Sequence, residues 1–140
     1  MITKTIIKVL REDSALQSLL GATGASDCPV FSIFEFRETV DKQINVGVEY
    51  GETQPFDCEA KTHDGRLTLY ILVKDTVSEP IKNAHTIAER VYQLLDLKGT
   101  TLDATSTVYW VQKLDTDFTH YMDLHFYELS VVFRFVIQES

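Results

Sequence analysis

The chain has 140 residues, 44% of them hydrophobic, and a formal net charge of −8. That length carries one domain, 1–140, with a real core, and the composition excludes a disordered chain. The acidic balance argues against nucleic-acid binding through a basic surface, although it allows a pore through which DNA slides without sticking.

In chain order, Ile2, Ile6, Val9 and Leu10 share one face of an N-terminal helix. Asp13 or Ser14 then looks like a cap for a short second helical turn carrying Leu16, Leu19 and Leu20, closed by Gly21. Glu12 to Ser14 either breaks this helix or bends it. Val30 to Phe36 is apolar nearly throughout and predicts a strand covered on both faces. Arg37 to Asn45 is polar and charged, a long loop or hairpin tip. Val46, Val48 and Tyr50 give a short strand, and Phe56, Cys58 and Ala60 another, with Gly51 to Pro55 as a break between them. Asp64-Gly65 predicts a hairpin turn.

The centre of the chain is a strand followed by a helix. Leu67, Leu69, Ile71 and Val73 alternate with Arg66, Thr68, Tyr70 and Lys74, the period-two pattern of a half-buried strand. Leu72 interrupts the polar side, which suggests that the second face is partly covered. After Asp75 the period changes to that of an amphipathic helix over about 79–97, with Ile81, Ala84, Ala88, Val91 and Leu95 as its stripe, widened by Ile87 and Leu94. Pro80 suits its first turn, after Ser78 or Glu79 as cap, and Lys98-Gly99 suits its end. Beyond it, 100–106 reads as a connection, Val108 to Leu114 as a strand and Asp115 to Asp123 as a loop. Tyr127, Leu129, Val131, Phe133, Phe135 and Ile137 mark one face of a long last strand. The expected fold is α+β: a mostly antiparallel β-sheet with the long helix and the N-terminal helix packed on it.

Little of the sequence points to chemistry. Cys28 and Cys58 lie in no CxxC or Cys/His ligand pattern and are expected to be buried fillers in a reducing compartment. His85 is expected at a solvent edge. His120 and His125 lie near Asp115, Asp117 and Asp123, but at no ligand spacing. There is no phosphate loop, nucleophile elbow or HExxH, so no enzyme, cofactor or metal is expected. No apolar run spans a membrane and the N-terminus has no signal-peptide pattern, so a soluble protein made in the cytoplasm is expected. The candidate protein interface is the loop bearing Phe118, Tyr121 and Met122 between acidic residues, where large apolar groups rimmed by charge suit an anchor; folding back over a sheet edge is the equal alternative. Glu38, Asp41 and Lys42 form a weaker candidate, for which a solvated hairpin tip is the plainer reading.

Taken together, the helix ending in Asp13 to Gly21, the apolar Pro29 to Phe34, the unit Arg66 to Lys74 with Ile81 to Leu95, and the closing unit Tyr121 to His125 with Glu128 to Phe135 resemble the tail terminator family. These are the tail completion, or minor tail, proteins of long-tailed, siphovirus-type, lambda-like phages. The likeness is one of layout rather than of signature residues, and 37–65 departs from it in holding two short strand patterns instead of one long hairpin. It implies a homo-hexameric ring at the head-proximal end of the virion tail, assembled in the host cytoplasm. Such a ring caps the tail tube protein, stops its polymerisation and presents a surface to the head completion or connector protein. DNA passes through its channel without specific binding. Another adaptor of the neck would share these features. A small-molecule-binding domain would instead need polar groups inside the leucine and phenylalanine rows, where none is found.

Overall fold

The computed structural model describes residues 2–53, 61–95, 100–101 and 106–139. Two helices open the chain, α1 (Ile2–Glu12) and α2 (Ser14–Leu19). Asp13 breaks them apart: its backbone is extended and its carboxylate accepts the N–H of Leu16 at 3.0 Å, so it caps α2. Gly21, at φ 75°, ends α2 in a left-handed residue, with Ala22 N–H bonded to Gln17 O and Gly21 N–H to Ser18 O.

Among the described residues, six strands form one sheet in the order β1-β2-β3-β6-β5-β4. They are β1 (Val30–Ser32), β2 (Lys42–Thr53), β3 (Lys61–Lys74), β4 (Thr100–Thr101), β5 (Ser106–Tyr121) and β6 (Phe126–Glu139). Among the described strands, only β1 and β2 run parallel. Helix α3 (Pro80–Leu95) follows β3, with Pro80 as its first residue and Glu79, at φ 49°, preceding it. The fold is α+β, with the helices on one sheet face.

Alternation in β3 and β6 decides what that face carries. Leu67, Leu69, Ile71 and Val73 are fully buried, and across the ladder Leu67 pairs with Phe133, Leu69 with Val131 and Ile71 with Leu129. Ala84, Ile87, Val91 and Leu95 of α3 are buried in the same cluster, with Ala88 and Leu94 packed at its margin. Ile81 departs from the expected stripe and is exposed. Helix α1 lies over β1 and β2 and contributes Ile6 and Leu10, while α2 adds Leu16 and packs on α3. Cys28 is buried beside them as a free thiol, which burial pushes above its ordinary range; Cys58 lies outside the described residues.

Several expectations are corrected. The run Val30–Phe36 is a three-residue strand followed by a 3-10 turn at Ile33–Glu35, and Ile33, Phe34 and Phe36 are exposed. An apolar run alone does not distinguish a buried strand from a segment folded over the sheet. The expected polar loop to Asn45 already contains the start of β2, where Gln43 and Asn45 are buried. Their amides replace water as partners: Gln43 both donates to Arg37 O (2.6 Å) and accepts from Arg37 N–H (3.2 Å).

Asp64-Gly65 is not a turn but lies within β3. A Cβ at Gly65 would collide with the backbone oxygen of Glu49 and come within 2.7 Å of the Phe135 ring. This glycine permits close approach rather than reversal. The last correction is Asp115 to Asp123: β5 runs through it to Tyr121, and only the turn beyond is irregular. Acidic residues on an outer strand face water and imitate a loop. Likewise, the short strand expected at Val46, Val48 and Tyr50 belongs to the longer β2, which pairs antiparallel with β3 and runs through the start of the expected break as far as Thr53. Phe56 and Ala60, and the expected helix end at Lys98-Gly99, lie outside the described residues.

Candidate interaction surface

The register brings residues from distant parts of the sequence to one end of the sheet. Lys42 pairs with Val73, Val73 with Tyr127, Lys74 with Phe126, and Phe126 with Tyr121. Both candidate stretches therefore meet here. Asp41 accepts the backbone N–H of Lys74 at 2.8 Å through its own carbonyl, and its carboxylate lies 3.5 Å from Lys74 Nζ. Lys42 opens β2 and is half-buried, while Glu38 is exposed.

The turn after β5 is fastened to the end of β3 by Asp75. Asp75 N–H donates to His125 O at 2.9 Å, and its carboxylate Oδ2 stands 3.3 Å from His125 Nδ1 and 3.4 Å from His120 Nε2. His125 has φ 60°, a left-handed conformation that the local hydrogen bonds hold. The sequence placed these histidines nearest Asp115, Asp117 and Asp123; the partner that the fold supplies is 45 and 50 residues away. No group of three or more His, Cys, Asp or Glu that could hold a metal ion occurs among the described residues.

Phe118, Tyr121 and Met122 do not form one anchor. Phe118 pairs with Leu129 and so faces the helix side, where it stacks on Tyr127 at 5.6 Å and lies 6.5 Å from His85 of α3. His85 is exposed, as expected. Tyr121 pairs with Phe126 and faces the opposite side. An odd spacing of three along a strand puts two side chains on opposite faces. Met122, in the turn, is 72% exposed.

The face opposite the helices is partly covered, as the Leu72 interruption implied. The segment after β1 folds across it, and the Phe36 ring meets Phe126 edge-on at 5.3 Å. Between this segment and the β5–β6 turn lies a groove of about 250 Å³, walled by apolar and aromatic side chains that include Ile33, Leu72 and Leu124. Tyr121 and Glu128 both line this groove, and interaction with the Glu128 carboxylate, then burial, raises the Tyr121 phenol above its ordinary range. Ile33, Phe34, Phe36 and Leu124 are exposed apolar residues that the sequence reading assigned to a strand or passed over. The signal for the first three is the aromatic run in 31–36, which an apolar-run rule assigns to a covered strand.

No family model matches the sequence, and no curated protein matches it. Among solved structures, the chain is similar to one described as "Virion of native gene transfer agent (GTA) particle", with a TM-score of 0.77 and 13% identity, over 98% of this chain and 94% of that one. At this identity the likeness shows that the two chains share their fold.

Proposed function

We propose that the chain is a structural protein of a phage-like particle, acting as a tail terminator. The observation that carries this reading is the fold likeness to a chain of a gene transfer agent virion over nearly the whole of both chains. The layout resemblance to tail terminators narrows it to that role. In this reading one domain assembles head to tail into a hexameric ring on the tail tube, halts tube growth and forms the tail side of the joint with the head connector. It acts by contact and not by catalysis.

A ring closes through unlike faces that fit one another. The two sides of β5 supply such faces: Phe118 stands with Tyr127 on the helix side, and Tyr121 with Leu124 near the groove. Met122 and Leu124 in the turn after β5, and Phe34 and Phe36 after β1, are exposed apolar residues of the kind that protein contacts cover. The net charge of −8 suits a channel wall that repels phosphates and so does not trap DNA in transit.

Sedimentation combined with electron micrographs tests the reading. Six-fold rings with a central hole, which bind to the ends of tail tubes and stop their extension, are expected. A chain that stays monomeric and fails to bind tubes overturns it. Rings that bind a head connector but never a tube replace the terminator with another neck adaptor.

A further inference from the structure

Each border of the sheet is an edge strand, whose outward N–H and C=O groups offer themselves to another chain. At β1 an arginine closes the border. Ile44 N–H bonds to Pro29 O, so the next carbonyl, Val30 O, points away from β2. Arg11 Nε donates to it at 2.9 Å, and Val30 N–H donates to Cys28 O at 2.8 Å.

The other border is longer. Among the described residues, β4 pairs with β5 only at Thr107 and Val108, and from there to Tyr121 no described strand lies on its outer side. Residues 116–121 are exposed. In an antiparallel ladder, alternate residues turn their N–H and C=O outward. Phe118 N–H donates to Asp117 Oδ1, the carboxylate of the residue before it, at 2.9 Å. A backbone donor on the exposed edge is thus occupied by a side chain of β5 itself.

The kind of side chain indicates which neighbour is excluded. A hydroxyl or an amide would also accept the N–H. A carboxylate adds a charge, which repels a strand that carries the same charge at the same place. The strand that always carries it is β5 of a second copy. Two such strands would align antiparallel about a two-fold axis and bring their Asp117 side chains close together.

We infer that Asp117 locks the outer edge of β5 against β5 of a second copy. Its carboxylate occupies the Phe118 N–H that the incoming strand would use, and its charge opposes the approach. Thr116, Phe118 and Thr119 are residue types that favour strands, so the edge pairs once it is unlocked. The inference stands on this edge and not on the ring, whose proposed contacts use the two faces of β5.

Sedimentation and amide hydrogen exchange on the full chain test it, with two variants that separate the bond from the charge. Asp117→Asn keeps an acceptor oxygen and loses the charge, while Asp117→Ala loses both. As concentration rises, Asp117→Ala is expected to form species of twice the wild-type mass or more. Exchange of its Phe118 amide should slow about tenfold between dilute and concentrated protein, the scale of one hydrogen bond. Asp117→Asn should associate less than Asp117→Ala, and the wild type should show neither change. Three outcomes overturn the inference: Asp117→Ala keeps the wild-type mass, it associates without slowing exchange at Phe118, or Asp117→Asn associates as strongly as Asp117→Ala. Asp117 is exposed and outside the buried cluster, so both variants keep the fold in which the edge is read.

Discussion

Arg90 and Asp13, 77 residues apart, form a forked ion pair, with Nε donating to Oδ2 at 2.9 Å and an Nη to Oδ1 at 2.7 Å. The same carboxylate caps α2 through Leu16 N–H. One side chain thus separates the two N-terminal helices and ties them to α3. The Arg90 hydrogen bond outweighs burial and holds the Asp13 carboxyl below its ordinary range.

This relationship predicts an acid-dependent contribution to stability. Asparagine caps a helix about as well as aspartate, so Asp13→Asn removes the charge pair and leaves the cap. The Arg90 side chain is about one-third exposed, so solvent discounts the loss to roughly 1 kcal/mol. A carboxyl whose folded pKa is depressed stabilises the fold above its unfolded value, near about 4, and loses that contribution as pH falls through the folded value. Urea melts of wild type and variant should differ at neutral pH and converge in acid below that value. A difference that persists unchanged there would contradict the assignment.

The sheet–helix core predicts a larger loss. Phe133 is fully buried opposite Leu67 and belongs to the cluster that α3 covers with Ile87 and Val91. Phe133→Ala should cost about 3–5 kcal/mol through lost transfer energy and the cavity left behind. Chemical denaturation measures this directly, and a loss below about 1 kcal/mol would be too small for such a site.

Gly65→Ala should destabilise by about 1–3 kcal/mol, because the new methyl group meets both a backbone oxygen and a ring. Pairing it with Phe135→Leu provides a sharper test. The ring can be removed, but the Glu49 carbonyl of the neighbouring strand cannot. The double variant should stay less stable than Phe135→Leu alone, as read by thermal melting.

Assembly should respond to salt in a particular direction. Subunits that each carry −8 repel one another, and salt or magnesium screens this as the Debye length falls to about 8–10 Å. Rings should therefore strengthen at moderate ionic strength, whereas rings held by exposed ion pairs would weaken. Because Phe118 and Tyr121 lie on opposite faces, Phe118→Asp and Tyr121→Asp should be sedimented as separate variants. We expect each to weaken assembly by itself if unlike faces meet head to tail. Equal assembly of both with the wild type would remove this part of β5 from the ring contact.

The strand-to-helix centre, the last strand, a cap at Asp13 or Ser14 and the Gly21 closure were legible in the sequence. Each depends on local rules: period two, period 3.6, a side chain that bonds three residues on, a residue free to take positive φ. These rules act within one or two turns of chain, so residue order alone carries them. The same alternation placed Leu69 and Phe133 on buried faces without knowledge of their neighbours.

Other features depend on what lies across the sheet, and there the sequence reading failed or was silent. Asn45 and Gln43 look like loop residues until Ser32 and Arg37 supply their partners. Gly65 looks like a turn until Glu49 and Phe135 crowd it. Phe118 and Tyr121 look like one anchor until pairing with β6 turns them to opposite faces. Asp75 meets two histidines 45 and 50 residues away only because three strands end together. In every case the deciding contact is long-range. Local order determined which segments alternate and where helices stop, and the tertiary structure decided which polar groups are satisfied, which glycine is irreplaceable and which faces remain open to a partner.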